Sequence, residues 1–235
     1  MHPILSCLGR LPARCVFACS VVLLLGGLPR ITVAAEPGAW QVLFDGSDLS
    51  AWKPYGKPAD APNLWAIESG TLAWRKDCGS LVTKELFGDF ELELEWKLSP
   101  AGNSGVMFGV DDSGEKPWHT GPEVQLLDDI RARDGKNPLT RAGALYALYP
   151  PARSAAKPVG EWNKLRLRVQ AGRVQGWLNE EAIFDVRMAS ADWNERVAKS
   201  KFGPFPRFGK FTSGRILLQD HLKAVWFRAI RIRRF

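Results

Sequence analysis

The residues with the clearest chemical potential lie in one stretch, where a strand begins at Glu123 after the Gly121-Pro122 turn. Side chains alternate between the two faces of a strand, so Glu123, Gln125 and Leu127 share one face. Leu127 breaks the polar pattern, which indicates that both faces of this strand are buried. A buried carboxyl and a buried amide cost free energy unless neighbouring groups satisfy them. This cost is a first indication of a site.

Two histidines occur after residue 35, and each lies beside polar residues at the end of a strand. His119 precedes Glu123, and His221 follows Gln219 and Asp220. Gln219 and His221 share a strand face by parity. If that face and the Glu123 face line one surface, a base, an acid and amide donors converge there. A lone histidine is more often structural or solvated, so the functional interpretation depends on these neighbours.

Other residues could shape a ligand site. The strand that begins at Asn103 has one face of small residues, because Gly105 and Gly109 lie on it. Small residues leave room for a ligand or for another stretch of backbone. Trp118 and Trp162 could be flat platforms for a ligand, although each is more often a core residue or a loop anchor.

The elements that would position these residues are strands. Residues 90–98 alternate apolar and charged side chains, and residues 64–74 have the pattern of a hairpin. A short strand is predicted at 142–148, and the segment 187–213, with scattered aromatics, is predicted as a functional loop. No segment shows sustained helical periodicity. Short strands with turn signals about every 8–12 residues predict an all-β, two-sheet antiparallel sandwich.

Glu91, Glu93 and Glu95 lie on one face of the strand 90–98, at a spacing of about 6.7 Å. Glycosidases use two carboxylates at about 5–5.5 Å or about 6.5–9.5 Å, so these three could qualify. A solvated strand face is the simpler interpretation, and no E-x-D-x-x-E pattern accompanies them. We therefore predict no conventional glycosidase pair on this strand.

Residues 1–35 have the pattern of a secretory signal peptide. Arg10 and Arg14 form a basic region, a short apolar run follows, and Val33-Ala34-Ala35 fits a cleavage site. The run is shorter than the roughly 20 residues of a membrane span. We predict export to the periplasm or the cell exterior, one domain over residues 36–235, and no membrane association after cleavage. The alternative is a retained N-terminal anchor.

The composition argues against several classes of partner and site. The formal charge of +7 falls to +4 without residues 1–35, which contain three arginines and no acidic residue. The remaining basic residues are dispersed, whereas nucleic-acid binding needs a concentrated basic patch, so no nucleic-acid partner is predicted. Cys78 is the single cysteine of residues 36–235, which leaves no internal disulfide and no cysteine-based metal site. No protein partner is evident.

Seven blocks of sequence, in the same order, resemble one family over nearly all of residues 38–235. The resemblance is to the DUF1080 family, also called the 3-keto-disaccharide hydrolase domain. It implies a concanavalin A-like jelly roll, in which two antiparallel sheets form a concave carbohydrate-binding face. The sequence departs from the family pattern at Gly109, where arginine is frequent, and at Leu222, where glycine is usual. The blocks are L-F-D-G-S-D-L-S-A-W (43–52), E-L-E-L-E-W-K-L-S-P-A-G-N-S-G-V-M-F (91–108), G-P-E-V-Q-L-L-D (121–128), G-A-L-Y (143–146), P-V-G-E-W-N (158–163), I-L-L-Q-D-H (216–221) and W-F-R-A-I-R-I (226–232).

The family name implies glycoside or oligosaccharide substrates in which the C3 hydroxyl of a sugar is oxidised to a ketone. The ketone acidifies the proton on C2, so a base can remove that proton and the glycosidic oxygen on C1 can leave by elimination. Addition of water then completes a net hydrolysis. Such a site needs a base, an acid and a stabiliser for the C3 oxyanion.

On this basis the predicted catalytic residues are Glu123, His221 and Asp220, with either Glu123 or His221 as the base. A divalent metal held by histidine and carboxylates could stabilise the oxyanion instead, so the need for metal stays open. The predicted substrate-binding residues are Asn103, His119, Trp118, Gln125, Trp162, Gln219 and Arg228.

The alternative function is a non-catalytic carbohydrate-binding module with a concanavalin A-like fold. In that case Trp118, Trp162, Trp193 and the phenylalanines of the segment 187–213 could serve as stacking platforms for the sugar. Such a module would bind a sugar without turnover and would tolerate the loss of His221.

Overall fold

A computed structural model describes residues 37–113 and 116–235. The predicted signal peptide, residues 1–35, lies outside the described residues, so export stays a prediction. The described strands, in chain order, are β1 (Gln41–Phe44), β2 (Trp52–Pro54), β3 (Ala66–Glu68), β4 (Thr71–Ala73), β5 (Leu81–Thr83), β6 (Phe90–Leu98), β7 (Asn103–Val110), β8 (Glu123–Leu127), β9 (Asn163–Gln170), β10 (Arg173–Leu178), β11 (Glu181–Arg187), β12 (Arg215–Leu218) and β13 (Val225–Arg234).

These strands form two antiparallel sheets that pack face to face. The larger sheet has the order β11-β10-β9-β6-β13-β4-β3, with β1 also paired to β13. The smaller sheet has the order β2-β5-β12-β7-β8. Leu92 and Leu94 of the larger sheet and Phe108 and Val124 of the smaller sheet belong to one buried core. The predicted all-β jelly-roll sandwich is therefore confirmed.

Strand β6 shows how the alternating pattern builds the sandwich. Its apolar side chains enter the core, while its glutamates lie on the outer face of the larger sheet. The predicted solvated face is wrong for Glu91, which is only 3% exposed. Arginines of the neighbouring strand β13 lie opposite these glutamates and cover them. The pairs are Glu91–Arg233 at 2.9 Å, Glu93–Arg231 at 2.6 Å and Glu95–Arg228 at 2.6 Å.

The strand predicted at 142–148 is wrong. This segment consists of turns, with isolated bridges from Leu145 to Val124 and to Tyr149. Its backbone nevertheless follows β8, because Tyr146 N donates a hydrogen bond to Glu123 O at 2.9 Å. The segment therefore packs beside β8 as an irregular wall.

The segment 187–213 contains a helix, α1 (Ala191–Lys199), which the sequence analysis missed. The Ser190 side chain caps it by accepting a hydrogen bond from Trp193 N at 3.1 Å. The helix has nine residues and only Trp193 is buried, so its apolar pattern is too short to be recognised. In the described part of the chain, no helix is both long enough and apolar enough to cross a membrane.

Candidate functional site

The site is built on the face of the smaller sheet that points away from the core. Val124 and Leu126 belong to the core, so Glu123 and Gln125 project from the opposite face of β8. Strand β7, which lies between β12 and β8, places Gly105 opposite Gln125. On its other side, Gln219 N donates a hydrogen bond to Gly105 O at 2.9 Å. Polar residues from three chain segments therefore meet around Gly105.

Gly105 is required by the close approach of the Glu123 side chain. A Cβ atom at position 105 would lie 2.0 Å from Glu123 Oε1. The same strand turns through a positive φ of 65° at Gly109, where a Cβ atom would lie 2.2 Å from the Phe211 ring. The protein's own side chains, and not a ligand, therefore fill the space at these two glycines. The backbone of Gly214 also lies close to Gly109, as the second alternative for these small residues predicted.

Amide groups on both sides hold the Glu123 carboxyl. Hydrogen bonding favours the Gln125 orientation in which its nitrogen donates to Glu123 Oε1 and to Ser104 O, each at 3.2 Å. The Gln219 side chain also acts on the Glu123 carboxyl and lowers its pKa. Among the described residues, Gln219 Oε1 is buried and has no hydrogen-bond partner. A buried acceptor without a partner suits a ligand that carries a hydroxyl group.

Burial dominates the proton affinity of Glu123. Its side chain lies in a region that disfavours charge, and this raises the pKa of the carboxyl to about 8. The nearby positive charge of Lys201 and the Gln219 hydrogen bond act in the opposite direction, whereas Asp134 adds to the rise. A carboxyl with this pKa exchanges protons close to neutral pH and can act as either a base or an acid.

Two loops close the site around this carboxyl. Burial raises the pKa of Tyr146 to about 12, with further contributions from Asp134 and Glu123. The Tyr146 hydroxyl donates to Asp134 Oδ2 at 3.3 Å. Lys201, which follows α1, places its Nζ 4.2 Å from the centre of the Tyr146 ring. Burial lowers the pKa of Lys201, while Glu123 and Asp134 partly oppose that decrease.

Together these groups enclose a cavity of about 170 Å³. Six of the ten predicted site residues line it, along with three that the sequence analysis missed. The arrangement combines a carboxyl that can exchange a proton, a histidine, a lysine, a neutral tyrosine and three amides. The lining residues are Asn103, Trp118, Glu123, Gln125, Asp134, Tyr146, Lys201, Gln219 and His221.

Two further predicted residues lie near this cavity without lining it. The His119 ring stacks on Phe205 with ring centres 4.1 Å apart. The Asp220 carboxylate accepts hydrogen bonds from Trp74 Nε1 at 2.6 Å and from Leu222 N at 2.8 Å. Asp220 therefore secures the turn that carries His221, which makes it a positioning residue in this geometry.

Trp162 and Arg228 do not join the cavity. Arg228 lies on β13 and pairs with Glu95 at 2.6 Å on the outer face of the larger sheet. Its guanidinium stacks over Trp162 at 4.0 Å from the ring centre. Arg228 belongs to the larger sheet, and Trp162, which directly precedes β9, packs against it there. Their predicted contact with substrate is not supported by these positions.

The three missed residues come from irregular segments. Tyr146 lies in the G-A-L-Y block (143–146), one of the seven blocks that resemble the family, so the sequence did mark this position. Because the block was predicted to be part of a strand, Tyr146 was not considered as a site residue. Asp134 lies in a 3-10 helix at Arg133–Lys136, and Lys201 follows the missed helix α1. Strand parity assigns faces only within strands, so it could not place these two side chains.

The structure offers one observation on metal binding. Among the described residues, no three His, Cys, Asp or Glu side chains lie close enough together to hold a metal ion. The described residues therefore offer no set of ligands for the divalent metal considered above.

Comparisons with known proteins agree with this fold. Residues 39–233 match the profile of a family described as the 3-keto-alpha-glucoside-1,2-lyase-like domain. A protein of Bacteroides thetaiotaomicron, named 3-keto-disaccharide hydrolase, is 32% identical over 238 residues, covering 88% of this chain and 82% of that protein.

Two crystal structures from Parabacteroides distasonis ATCC 8503 are also similar, and both are described as candidate glycosyl hydrolases. The first is 31% identical with a TM-score of 0.78, covering 83% of this chain and 94% of that one. The second is 26% identical with a TM-score of 0.68, covering 84% of this chain and 100% of that one. The similarity therefore extends over nearly the whole sandwich.

Proposed function

The chain belongs to the 3-keto-alpha-glucoside-1,2-lyase-like domain family, and from this premise we propose that it cleaves the glycosidic bond of 3-keto-glycosides. The named relatives support a carbohydrate-active enzyme. The observation that carries the finer proposal is the Glu123 carboxyl, buried beside two amides at the floor of a small cavity, with its pKa raised to about 8.

The positions of the lining residues favour one assignment of roles. Glu123 and Lys201 line only the small cavity, whereas His221 also lines a larger groove beside it. With the oxidised sugar in the cavity, its leaving group extends toward the groove, and C1 lies at the junction. We therefore assign Glu123 as the base at C2 and His221 as the acid at the leaving oxygen.

In the first step, the Glu123 carboxylate takes the proton from C2. The electron pair of the C–H bond forms the C2–C3 double bond, and the C3 oxygen becomes an oxyanion. The Lys201 ammonium and the amides stabilise that charge, and one preorganised donor contributes about 10²–10³-fold in rate. The raised pKa of Glu123 makes its carboxylate a stronger base than an ordinary one.

In the second step, the oxyanion collapses and the bond between C1 and the glycosidic oxygen breaks. Protonated His221 gives its proton to that oxygen, which leaves as an alcohol, and a C1–C2 double bond remains. Neutral His221 then accepts a proton from water as the oxygen of that water bonds to C1, and Glu123 returns its proton to C2. The net reaction is a hydrolysis, and both Glu123 and His221 return to their starting protonation states.

The test combines two variants with a defined substrate. We expect Glu123→Gln and His221→Ala each to lower kcat/KM for 3-ketotrehalose by about 10²–10⁴-fold, the usual contribution of an acid or a base. Products are followed by NMR, with and without a chelator. Glu93→Gln serves as control, because Glu93 pairs with Arg231 on the other sheet. Full activity in both site variants would refute the assignment.

The same assay separates an enzyme from a carbohydrate-binding module. A module would bind 3-ketotrehalose without forming any product, and binding would survive His221→Ala. Exchange of the C2 proton with deuterated solvent gives a second readout, since only proton abstraction introduces deuterium there.

A further inference from the structure

The cavity opens beside a groove of about 660 Å³. Trp118, Gln219 and His221 line both spaces, so a molecule seated in the cavity continues into the groove. Typical ligand pockets measure about 300–1,000 Å³, so the groove is large enough for a ligand on its own and the cavity is not. The two spaces together therefore fit a ligand with a small part and a larger part.

The surface of the groove is mostly apolar. Leu64, Trp118 and Leu222 are 56%, 38% and 73% exposed, and all three line it together with Pro62 and Pro117. Single exposed apolar residues are ordinary, but several around one concave space indicate a binding surface.

Leu222 adds an independent observation. Its φ is 61°, in the left-handed region that favours glycine and disfavours a side chain as bulky as leucine. The chain thus holds an exposed apolar side chain at a disfavoured backbone position on the wall of the groove. A strained residue of this kind points to a use for its side chain.

Polar groups of the groove are partly engaged within the protein. The Asp220 carboxylate accepts hydrogen bonds from Trp74 Nε1 and from Gly79 N. The Ser80 hydroxyl accepts a hydrogen bond from Asp220 N at 3.0 Å. A second sugar ring needs many hydrogen-bonding partners, and Asp220 and Ser80 have part of their hydrogen-bonding capacity already in use. Gln219, whose Oε1 has no partner among the described residues, lines the cavity as well as the groove, so it can serve the oxidised sugar.

We propose that the groove binds the leaving group of the substrate, and that this group is an apolar aromatic alcohol rather than a second sugar. The assignment of the groove to the leaving group rests on the proposed function. The preference for an apolar aromatic group rests on the groove itself and is measured by binding, which does not require turnover.

The experiment compares benzyl and methyl 3-keto-α-glucosides, whose leaving alcohols have similar acidity. Dissociation constants come from calorimetry in the Glu123→Gln background, where turnover is slow, and cleavage is followed by NMR with the wild type. 3-Ketotrehalose is the substrate with a sugar leaving group. We expect the benzyl compound to bind at least about tenfold more tightly than the methyl compound, the effect of burying one phenyl ring. Leu222→Gly and Leu64→Ser should each reduce this preference severalfold and leave methyl binding unchanged.

Ile130→Ser is the matched control, because Ile130 is 84% exposed and does not line the groove. Leu222→Gly relieves a disfavoured φ, so an unchanged or higher Tm shows that lost binding is not unfolding. Equal affinity for the benzyl and methyl compounds, or tighter binding of 3-ketotrehalose than of the benzyl compound, would overturn the proposal. Selective benzyl binding with no cleavage of any 3-keto-glycoside would support the apolar groove and refute the proposed reaction.

Discussion

At the scale of single residues, Gly105 determines where the Glu123 carboxyl can lie. All three atoms nearest to a Cβ at position 105 belong to Glu123. We expect Gly105→Ala to displace the carboxyl, lower kcat/KM at least about tenfold and destabilise the fold by about 1–3 kcal/mol.

A double-mutant cycle tests whether this effect passes through Glu123. In a Glu123→Ala background, the added methyl group of Gly105→Ala no longer meets a carboxyl, so its cost in unfolding free energy should largely disappear. The measurement is urea denaturation of the four proteins. An equal cost in both backgrounds would mean that the strand backbone, and not Glu123, requires the glycine.

The raised pKa of Glu123 also makes stability depend on pH. The folded protein holds this proton up to about pH 8, whereas the unfolded chain releases it near 4.5. The unfolding free energy contributed by this group is therefore present below about pH 4.5 and lost as pH rises through about 8. We expect Glu123→Gln to match the wild type at pH 5 and to exceed it by about 3–5 kcal/mol at pH 9. Urea denaturation at both values checks this, and an equal difference at both values would contradict it.

At the scale of elements, the loop after α1 delivers Lys201 to a site built mainly on strands. We expect Lys201→Gln to lower kcat about 10²-fold, the contribution of one oxyanion donor. The first step needs the Glu123 carboxylate, whose pKa is about 8, and the second needs protonated His221, so the activity of the wild type should pass through a maximum as pH rises. In the variant that maximum should move to higher pH, because the charge of Lys201 lowers the pKa of Glu123.

Lys199→Gln is the control for this prediction, because Lys199 is exposed and pairs with Glu195 in the last turn of the helix. Its pH profile should match that of the wild type. If Lys201→Gln keeps both the rate and the pH profile of the wild type, another group stabilises the oxyanion.

The limits of sequence analysis follow from the same elements. Parity fixes the faces of a strand, so alternation predicted that Glu123 shares a face with Gln125, and that Gln219 shares a face with His221. That these two faces line one surface was a condition, which alternation alone could not test. The residues on the walls of the cavity could not be predicted in this way. Asp134 comes from a 3-10 helix and Lys201 from a loop, and neither segment has a periodic sequence pattern that assigns side chains to faces. The outward placement of Arg228, and of Trp162 just before β9, depends on the sheet that β13 and β9 join. No local sequence pattern shows which distant strands pair.

At the scale of the molecule, the two sheets have different roles. The outer face of the larger sheet carries a network of arginine–glutamate pairs and arginines stacked on tryptophans, such as Arg166 over Trp177 at 3.8 Å. The outer face of the smaller sheet carries the cavity, whose buried Glu123 costs stability at high pH. Strain at the site is tolerated because the opposite sheet and the shared core hold the fold.

This division predicts that the larger sheet can be weakened without changing the chemistry. Glu91 is buried and lies between Arg233 at 2.9 Å and Arg166 at 3.7 Å. We expect Glu91→Ala to lower the unfolding free energy by about 2–3 kcal/mol, less than a fully buried pair would lose, because both arginines stay partly exposed. The kcat of the folded fraction should stay within about twofold of wild type, since the two faces share no side chain.

Glu181→Ala is the matched control, because its pair with Arg153 has both side chains more than half exposed. That change should cost at most about 1 kcal/mol. Urea denaturation gives the stabilities, and the 3-ketotrehalose assay well below the melting temperature gives the rates. A large loss of kcat in folded Glu91→Ala protein would show that the larger sheet positions the site, and the separation of roles between the sheets would fail.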